Sequence, residues 1–293
     1  MNPLFTGCAT ALITPFKNGS VDWDALDRIV DNQIENGIAA LVAAGTTGEP
    51  ATMTWEEHLN VIKRIVKRAD GRVPVIAGTG SNSTAEAIEA AKFASDTGAA
   101  AQLVVTPYYN KTSQAGLVAH FNAIADAADL PVIVYNVPSR TGLNLGVNAL
   151  KEIVAHPNII AVKEANDNVG EAMDKVRVCG DKVAFYSGND DLIVPLMSCG
   201  FQGVISVLSN VMPAETVKMC NLALENNYHA ASAMQLKLLP FIRALFSETS
   251  PIPVKAAMSK LGWCEEELRL PLVPMQDNTR ANLYAIMQEL NLI

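Results

Sequence analysis

A chain of 293 residues, 49% hydrophobic and 18% charged, has the apolar content to bury a large core, which excludes a disordered or fibrous protein. A formal charge of −8 leaves no electrostatic footprint for nucleic acid, and no apolar run approaches the ~20 residues of a membrane span. The five cysteines (Cys8, Cys179, Cys199, Cys220 and Cys264) are odd in number and never form a C-x-x-C pair, so they favour a reducing, cytoplasmic setting over a disulfide framework or zinc site.

The first residues, MNPLFTGCATALITPF, carry neither a basic region nor a small-residue cleavage site, so no secretory signal is read there. From there, β-rich runs alternate with helical ones. Strands are predicted over 8–14, 39–45, 74–80, 101–107, 131–138, 158–163, 183–188 and 203–207. Most are continuous runs of Val, Ile and Ala, as expected of strands covered on both faces in a parallel sheet. Between them, Thr54-Trp55-Glu56-Glu57 and Ser83-Thr84-Ala85-Glu86 fit the capping box, and Gly37, Gly98 and Gly200 fall where helices should stop. Strand starts recur roughly every 20–35 residues, and eight such βα units predict an α/β fold closed as a (β/α)8 TIM barrel over 1–225. Beyond it the strand signal vanishes. Helical periodicity over 214–225, 229–247, 253–261 and 279–290 assigns the first segment to the last βα unit and makes 226–293 a small helical appendage.

The carboxyl ends of barrel strands carry active sites. Here they gather Thr46 and Thr47 after strand 2, Tyr108 and Tyr109 after strand 4, Tyr135 in strand 5, Arg140 after it, Lys163 closing strand 6, and Gly188 to Asp191 after strand 7. Lys163 is the unusual member, because it ends an apolar run, NIIAVK. In water a lysine has pKa ~10.4 and is a poor nucleophile, but burial lowers that value and frees the amine to form a Schiff base with a carbonyl. Tyr135 and Thr46 are suitable types for moving the protons. Equally, Lys163 could cap its strand and pair with Glu164 or another acid. GTTGEP (45–50) fits an anion-binding turn or an ordinary βα turn; it lacks the Gly-Lys-Ser/Thr of a Walker loop, and GTGSNS (78–83) lacks the dinucleotide spacing. Tyr108 and Tyr109 could form an exposed interface or pack in the core, and Arg140 could be a surface charge or grip a carboxylate. NDD (189–191) could hold a metal or cap a helix. With no ligand-spaced cluster among His58, His120, His156 and His229, no metal is expected, and His58 is read as a surface or half-buried helix residue.

In order along the chain, GTTGE, VTPYYNK, YNVPSRTG, VKEA, SGND and GVISV, followed by PIPVK, resemble the dihydrodipicolinate synthase family over essentially the whole length. The resemblance implies a cytoplasmic homotetramer, a dimer of dimers, that condenses pyruvate with L-aspartate-4-semialdehyde in the diaminopimelate route to lysine, with no metal or organic cofactor. It makes Lys163 the Schiff-base lysine and Tyr135 the proton donor and acceptor. Thr46 and Tyr109 complete the relay, with Tyr109 reaching in from a neighbouring subunit. Thr47 takes the pyruvate carboxylate, Ile205 gives pyruvate a backbone contact, Arg140 takes the semialdehyde carboxylate, and Gly188 joins the substrate-contacting residues. N-acetylneuraminate lyase and sugar-acid aldolases share the lysine, the tyrosine and the Gly-x-Thr-Gly-Glu turn; Arg140 favours the synthase over the lyase, and the presence of every expected catalytic type argues against a non-catalytic binding barrel. Some family members bind lysine at a subunit interface, and His58, Asn82, Glu86 and Tyr108 match that site in type, whereas Pro50 and Trp55 depart from the familiar bacterial serine and histidine.

Overall fold

A computed structural model describes residues 2–293. Eight parallel strands close on themselves: β1 (Gly7–Ala11), β2 (Ala40–Ala43), β3 (Val75–Gly78), β4 (Ala101–Val105), β5 (Val132–Asn136), β6 (Ile159–Glu164), β7 (Ala184–Ser187) and β8 (Gly203–Ser206). Each pairs with its neighbour in sequence, and β8 returns to β1 through Gly7–Gly203 to Thr10–Ser206. The predicted barrel is therefore present. Most of its strands are shorter than the apolar runs, because those runs continue past the last ladder bond. After β1, for example, the Ile13 amide goes to the Asn210 side chain. A two-stranded hairpin, Phe16–Lys17 against Ser20–Val21, was not expected; it turns on Asn18-Gly19, both in the left-handed region.

The strands are mostly apolar because both faces are covered. One face packs on helices, and the other fills the barrel with small residues such as Ala9, Ala11, Ala40, Ala101, Ala161 and Ala184. Those alanines leave room for two rings. Phe5 stacks on Tyr186 at 4.1 Å between centroids, and the Tyr186 hydroxyl donates to the Phe5 carbonyl at 2.8 Å.

Outside run α1 (Trp23–Glu35), α2 (Trp55–Ala69), α3 (Thr84–Asp96), α4 (Gln114–Ala127), α5 (Val147–Ile153), α6 (Val169–Cys179), α7 (Ile193–Ser198) and α8 (Pro213–Leu224). The capping box at Thr54 and Glu57 forms in both directions. The one read at Ser83 forms only by half. Ser83 accepts from the Glu86 amide, but the Glu86 carboxylate takes the Ser81 hydroxyl at 2.8 Å instead of returning to the cap. Gly37, Gly98 and Gly200 follow α1, α3 and α7 with φ of 81°, 83° and 100°, the conformation a side chain would disfavour.

The remaining helices, α9 (Tyr228–Leu245), α10 (Ile252–Lys260) and α11 (Asp277–Glu289), match the predicted segments. α9 packs on α7 and α8, and the segment after it bends back over the carboxyl ends of the strands, where Thr249 and Ser250 join the wall of the mouth.

Candidate active site

Alternation along β6 turns Ala161 inward and Val162 outward, so Lys163 enters the barrel and Glu164 leaves it. Lys163 is only 6% exposed. Its ladder partner on β5 is Tyr135, and its Nζ lies 4.3 Å from the centre of the Tyr135 ring. Among the described residues no carboxylate stands within ion-pair distance of Lys163, and Glu164 instead binds Lys175 at 2.8 Å. The strand-capping alternative is thereby overturned, because its proposed acid faces the other side of the sheet.

Burial, with help from Arg140, pushes the Lys163 amine down to about 8, although Asp190 pulls the other way. Burial likewise pushes the Tyr135 phenol up to about 12, against the Arg140 charge and a hydrogen bond with the Thr46 hydroxyl. Lys163 therefore gives up its proton more readily than a solvated lysine, and it lies beside a phenol that keeps its own.

Thr46 and Thr47 sit on a tight turn, Thr46–Gly48, after β2. Two residues without glycine's freedom adopt left-handed backbone around it, Ala44 (φ 52°) and Glu49 (φ 57°). Gly78 in β3 lets the turn press close, since a Cβ there would lie 2.3 Å from the Ala44 carbonyl. The Glu49 carboxylate is buried against Lys255 at 2.6 Å, and the same Nζ donates to the Glu267 carbonyl at 2.6 Å. This is more construction than an ordinary βα turn needs.

Thr46, Thr47, Tyr135, Arg140, Lys163 and Gly188 all line one cavity of about 710 Å³ at the mouth of the barrel. Arg140 is exposed there, donating from Nη2 to the Ser250 carbonyl at 3.0 Å and leaving the rest of its fork free for an anion. A Cβ on Gly188 would stand 2.7 Å from the Ala165 Cβ and 3.1 Å from Lys163 Cε, so the glycine leaves the lysine its room. Asp190, in the NDD segment, caps no helix there; its Oδ2 accepts from the Val207 and Leu208 amides at 3.0 and 2.9 Å, tying this loop to the one after β8. Among the described residues no cluster of three or more His, Cys, Asp or Glu could hold a metal.

Two residues of the expected set lie apart. The Ile205 side chain is buried inside β8, outside the cavity wall. Tyr109 is 92% exposed with φ 67°, outside its own chain's cavity, and Tyr108 is also exposed, so neither packs in the core. A second cavity of about 510 Å³ is lined by His58, Glu86 and Tyr108 with Pro50 and Trp55. Asn82 does not line it; its carbonyl accepts from Asn110 at 3.0 Å. His58 is buried rather than half-exposed, with Nε2 2.8 Å from the Gly78 carbonyl, and burial lowers its pKa. The two cavities share Thr46, Tyr135 and Arg140 as walls.

The dihydrodipicolinate synthetase family matches residues 4–290. The chain belongs to that family. A 4-hydroxy-tetrahydrodipicolinate synthase of Pelobacter propionicus is 47% identical over 290 residues, covering 99% of this chain and 100% of that protein. The chloride-inhibited dihydrodipicolinate synthase of Acinetobacter baumannii, solved with pyruvate, is similar with a TM-score of 0.96 at 42% identity, covering 98% of this chain and 99% of that one. The Cyanidioschyzon merolae enzyme, solved with lysine bound, has a TM-score of 0.96 at 39% identity and covers 100% of both chains.

Three further charged residues support the site. Arg243 lines the mouth from α9. Lys255 fixes the GTTGE turn, and Lys175 takes Glu164. A signal existed for Lys175: it occupies the buried stripe of α6 with Ala172 and Cys179, where an apolar residue is expected.

Gly188→Ala tests the close fit around the lysine. It should leave the far-ultraviolet circular dichroism unchanged while lowering kcat by roughly 10²-fold, since an ångström-scale displacement at a reacting group costs about that much. Wild-type turnover in steady-state assays would show that the lysine has room to spare.

Proposed function

We propose that this chain condenses pyruvate with L-aspartate-4-semialdehyde through an imine on Lys163, the activity of a 4-hydroxy-tetrahydrodipicolinate synthase. The observation that carries this reading is the buried amine, without an acid partner among the described residues, set beside Tyr135 in the lining of a cavity that also holds Thr46, Thr47 and Arg140.

In this reading the neutral Lys163 amine adds to pyruvate C2, while Thr47 and its turn hold the carboxylate and the Ile205 backbone contacts the substrate. The carbinolamine loses water as Tyr135 delivers a proton to the departing oxygen, and Thr46 passes the next one along. The protonated imine draws electrons from the methyl carbon, which releases a proton and becomes an enamine. That carbon attacks the aldehyde of the second substrate, whose carboxylate is gripped by Arg140. The amino group of the semialdehyde then adds to C2 and expels Lys163, closing the ring and restoring the amine. Gly188 gives both substrates space beside the lysine.

Tyr109 enters this scheme from a second copy. Its near-complete exposure and left-handed backbone, outside its own cavity, support a relay completed across a subunit contact. We take the assembly to be a cytoplasmic homotetramer, a dimer of dimers, with 226–293 as a helical domain that walls the mouth. No helix among the described residues is long and apolar enough to cross a membrane. The second cavity is assigned to L-lysine as a feedback inhibitor, held by His58, Glu86 and Tyr108, with Asn82 near its edge. Through the shared walls, a ligand there would act on Thr46, Tyr135 and Arg140.

Borohydride reduction with pyruvate, followed by peptide mapping, should place one three-carbon adduct on the peptide containing Lys163; no adduct, or one elsewhere, ends the Schiff-base reading. Semialdehyde assayed beside N-acetylneuraminate and sugar acids then decides the second substrate.

The pH dependence follows from the lowered amine. Below about 8 Lys163 is an ammonium and cannot attack, so kcat/KM should fall with decreasing pH along a limb centred near 8. A profile flat from about pH 6 to 9 would contradict the assignment of the nucleophile.

Millimolar L-lysine should lower the initial rate without competing with pyruvate; unchanged rates would remove the inhibitor from the second cavity.

A further inference from the structure

We propose that Lys175, sealed behind the barrel wall, is a positioning residue for the reaction, holding Tyr135 and Lys163 in register by way of Glu164 and Asn136. This deepens the Schiff-base reading and rests on it.

On β5 and β6 the inward pair is Tyr135 and Lys163, and the next pair, Asn136 and Glu164, points outward. That outward pair is tied through its side chains, with Asn136 Nδ2 donating to Glu164 Oε1 at 2.8 Å. The other carboxylate oxygen receives Lys175 Nζ at 2.8 Å, and both side chains of this ion pair are 0% exposed. The same Nζ stands 3.3 Å from Glu171 Oε1, which accepts from Asn144 Nδ2 at 2.6 Å. Asn144 Oδ1 in turn accepts from Asn136 at 2.9 Å. The polar groups thus close a circuit from β5 to β6 to α6 and back, one residue beyond the reacting pair.

Two physical points give this circuit a role beyond holding the fold. A buried ion pair contributes little net stability compared with apolar residues of the same volume, so stability alone is a poor reason for a sealed lysine. Further, the β5–β6 ladder shifts register between Val132 and Ile133, passing over Ile160 as an extra residue. The ladder re-forms only from Ile133–Ala161 to Asn136–Glu164, and the side-chain clamp locks the last pair of that short stretch, one residue beyond where the amine meets the phenol. Without Lys175, Glu164 would be a buried carboxylate lacking its cation, and its bond to Asn136 would give way to whatever water or rearrangement relieves the charge.

The test compares full-length variants by single-turnover imine formation on Lys163, by kcat and KM for pyruvate, and by melting temperature. Lys175→Met should slow imine formation and kcat by at least about tenfold while KM moves less than about threefold. The double variant Glu164→Gln/Lys175→Met keeps an acceptor for Asn136 and leaves no unpaired charge, so it should recover to within about threefold of wild type. Should Lys175→Met fail to fold, Asn136→Ala decides: it retains the Lys175–Glu164 ion pair, removes the cross-strand bond together with the bonds to Asn144 and the Leu145 amide, and should be slowed by at least about tenfold. Wild-type imine kinetics in Lys175→Met with a lowered melting temperature, or in Asn136→Ala, would overturn the proposal, as would a double variant as slow as the single one. A wild-type enzyme that gives no adduct on Lys163 would instead overturn the Schiff-base reading, and this inference with it.

Discussion

Desolvating an amine without giving it an acid is the constraint from which the architecture of this mouth follows. An ammonium buried beside a carboxylate would be stable and inert. An amine that is buried, with a guanidinium nearby, loses its proton more readily than one in water. The closed barrel supplies the burial, because a strand covered on both faces leaves water no route to the group except through the mouth. What the barrel must then avoid is a carboxylate on the inner face of β6 or its neighbours. The nearest influence of that sign, Asp190, commits its Oδ2 to two backbone amides in the loop after β8.

The period of two along a strand does the sorting. Lys163 and Glu164 are adjacent in sequence and would make an ordinary ion pair on a helix or in a loop, but on β6 the pleat sends them to opposite faces. Each finds a different environment as a result. The lysine meets Tyr135 and the substrate cavity, and the glutamate meets Lys175 of α6. One residue of slip would exchange them, placing a carboxylate in the cavity and an unpaired amine among the helices.

How much of this was visible beforehand depends on the range of the interaction. The strands, the cap at Thr54 and the glycine stops at Gly37, Gly98 and Gly200 are local features, and their residues alone encode them. The hairpin at Asn18-Gly19 also has a local signal, but two-residue strands carry too little periodicity to read. The half-formed box at Ser83 failed because Ser81 offered Glu86 a competing hydroxyl, a choice the four-residue pattern does not contain. The cavity set of Thr46, Thr47, Tyr135, Arg140, Lys163 and Gly188 was legible through the rule that strand ends converge. The residues that hold this set in place were not. Lys175 and Glu164 are separated by 11 positions, and Lys255 and Glu49 by 206, so only the packed structure identifies them as partners.

The Lys255–Glu49 pair also changes how the last helices are to be understood. Helical periodicity suggested an appendage, but α10 sends a fully buried lysine into the GTTGE turn. There it is held by Glu49, by the Glu267 carbonyl and over the Phe16 ring, 4.3 Å from its centre. Arg269 adds a second tie: its fork on Glu57 holds that carboxyl down to about 2, and it donates to the carbonyls of Thr52 and Gly19. The turn needs such support, because Glu49 is held in a backbone conformation that a residue with a side chain adopts at some cost. Thr46 and Thr47 ride on that strained turn. Their position is therefore set jointly by β2 beneath them and by a helix more than 200 positions later in the chain, which makes the carboxyl-terminal helices part of the site's framework.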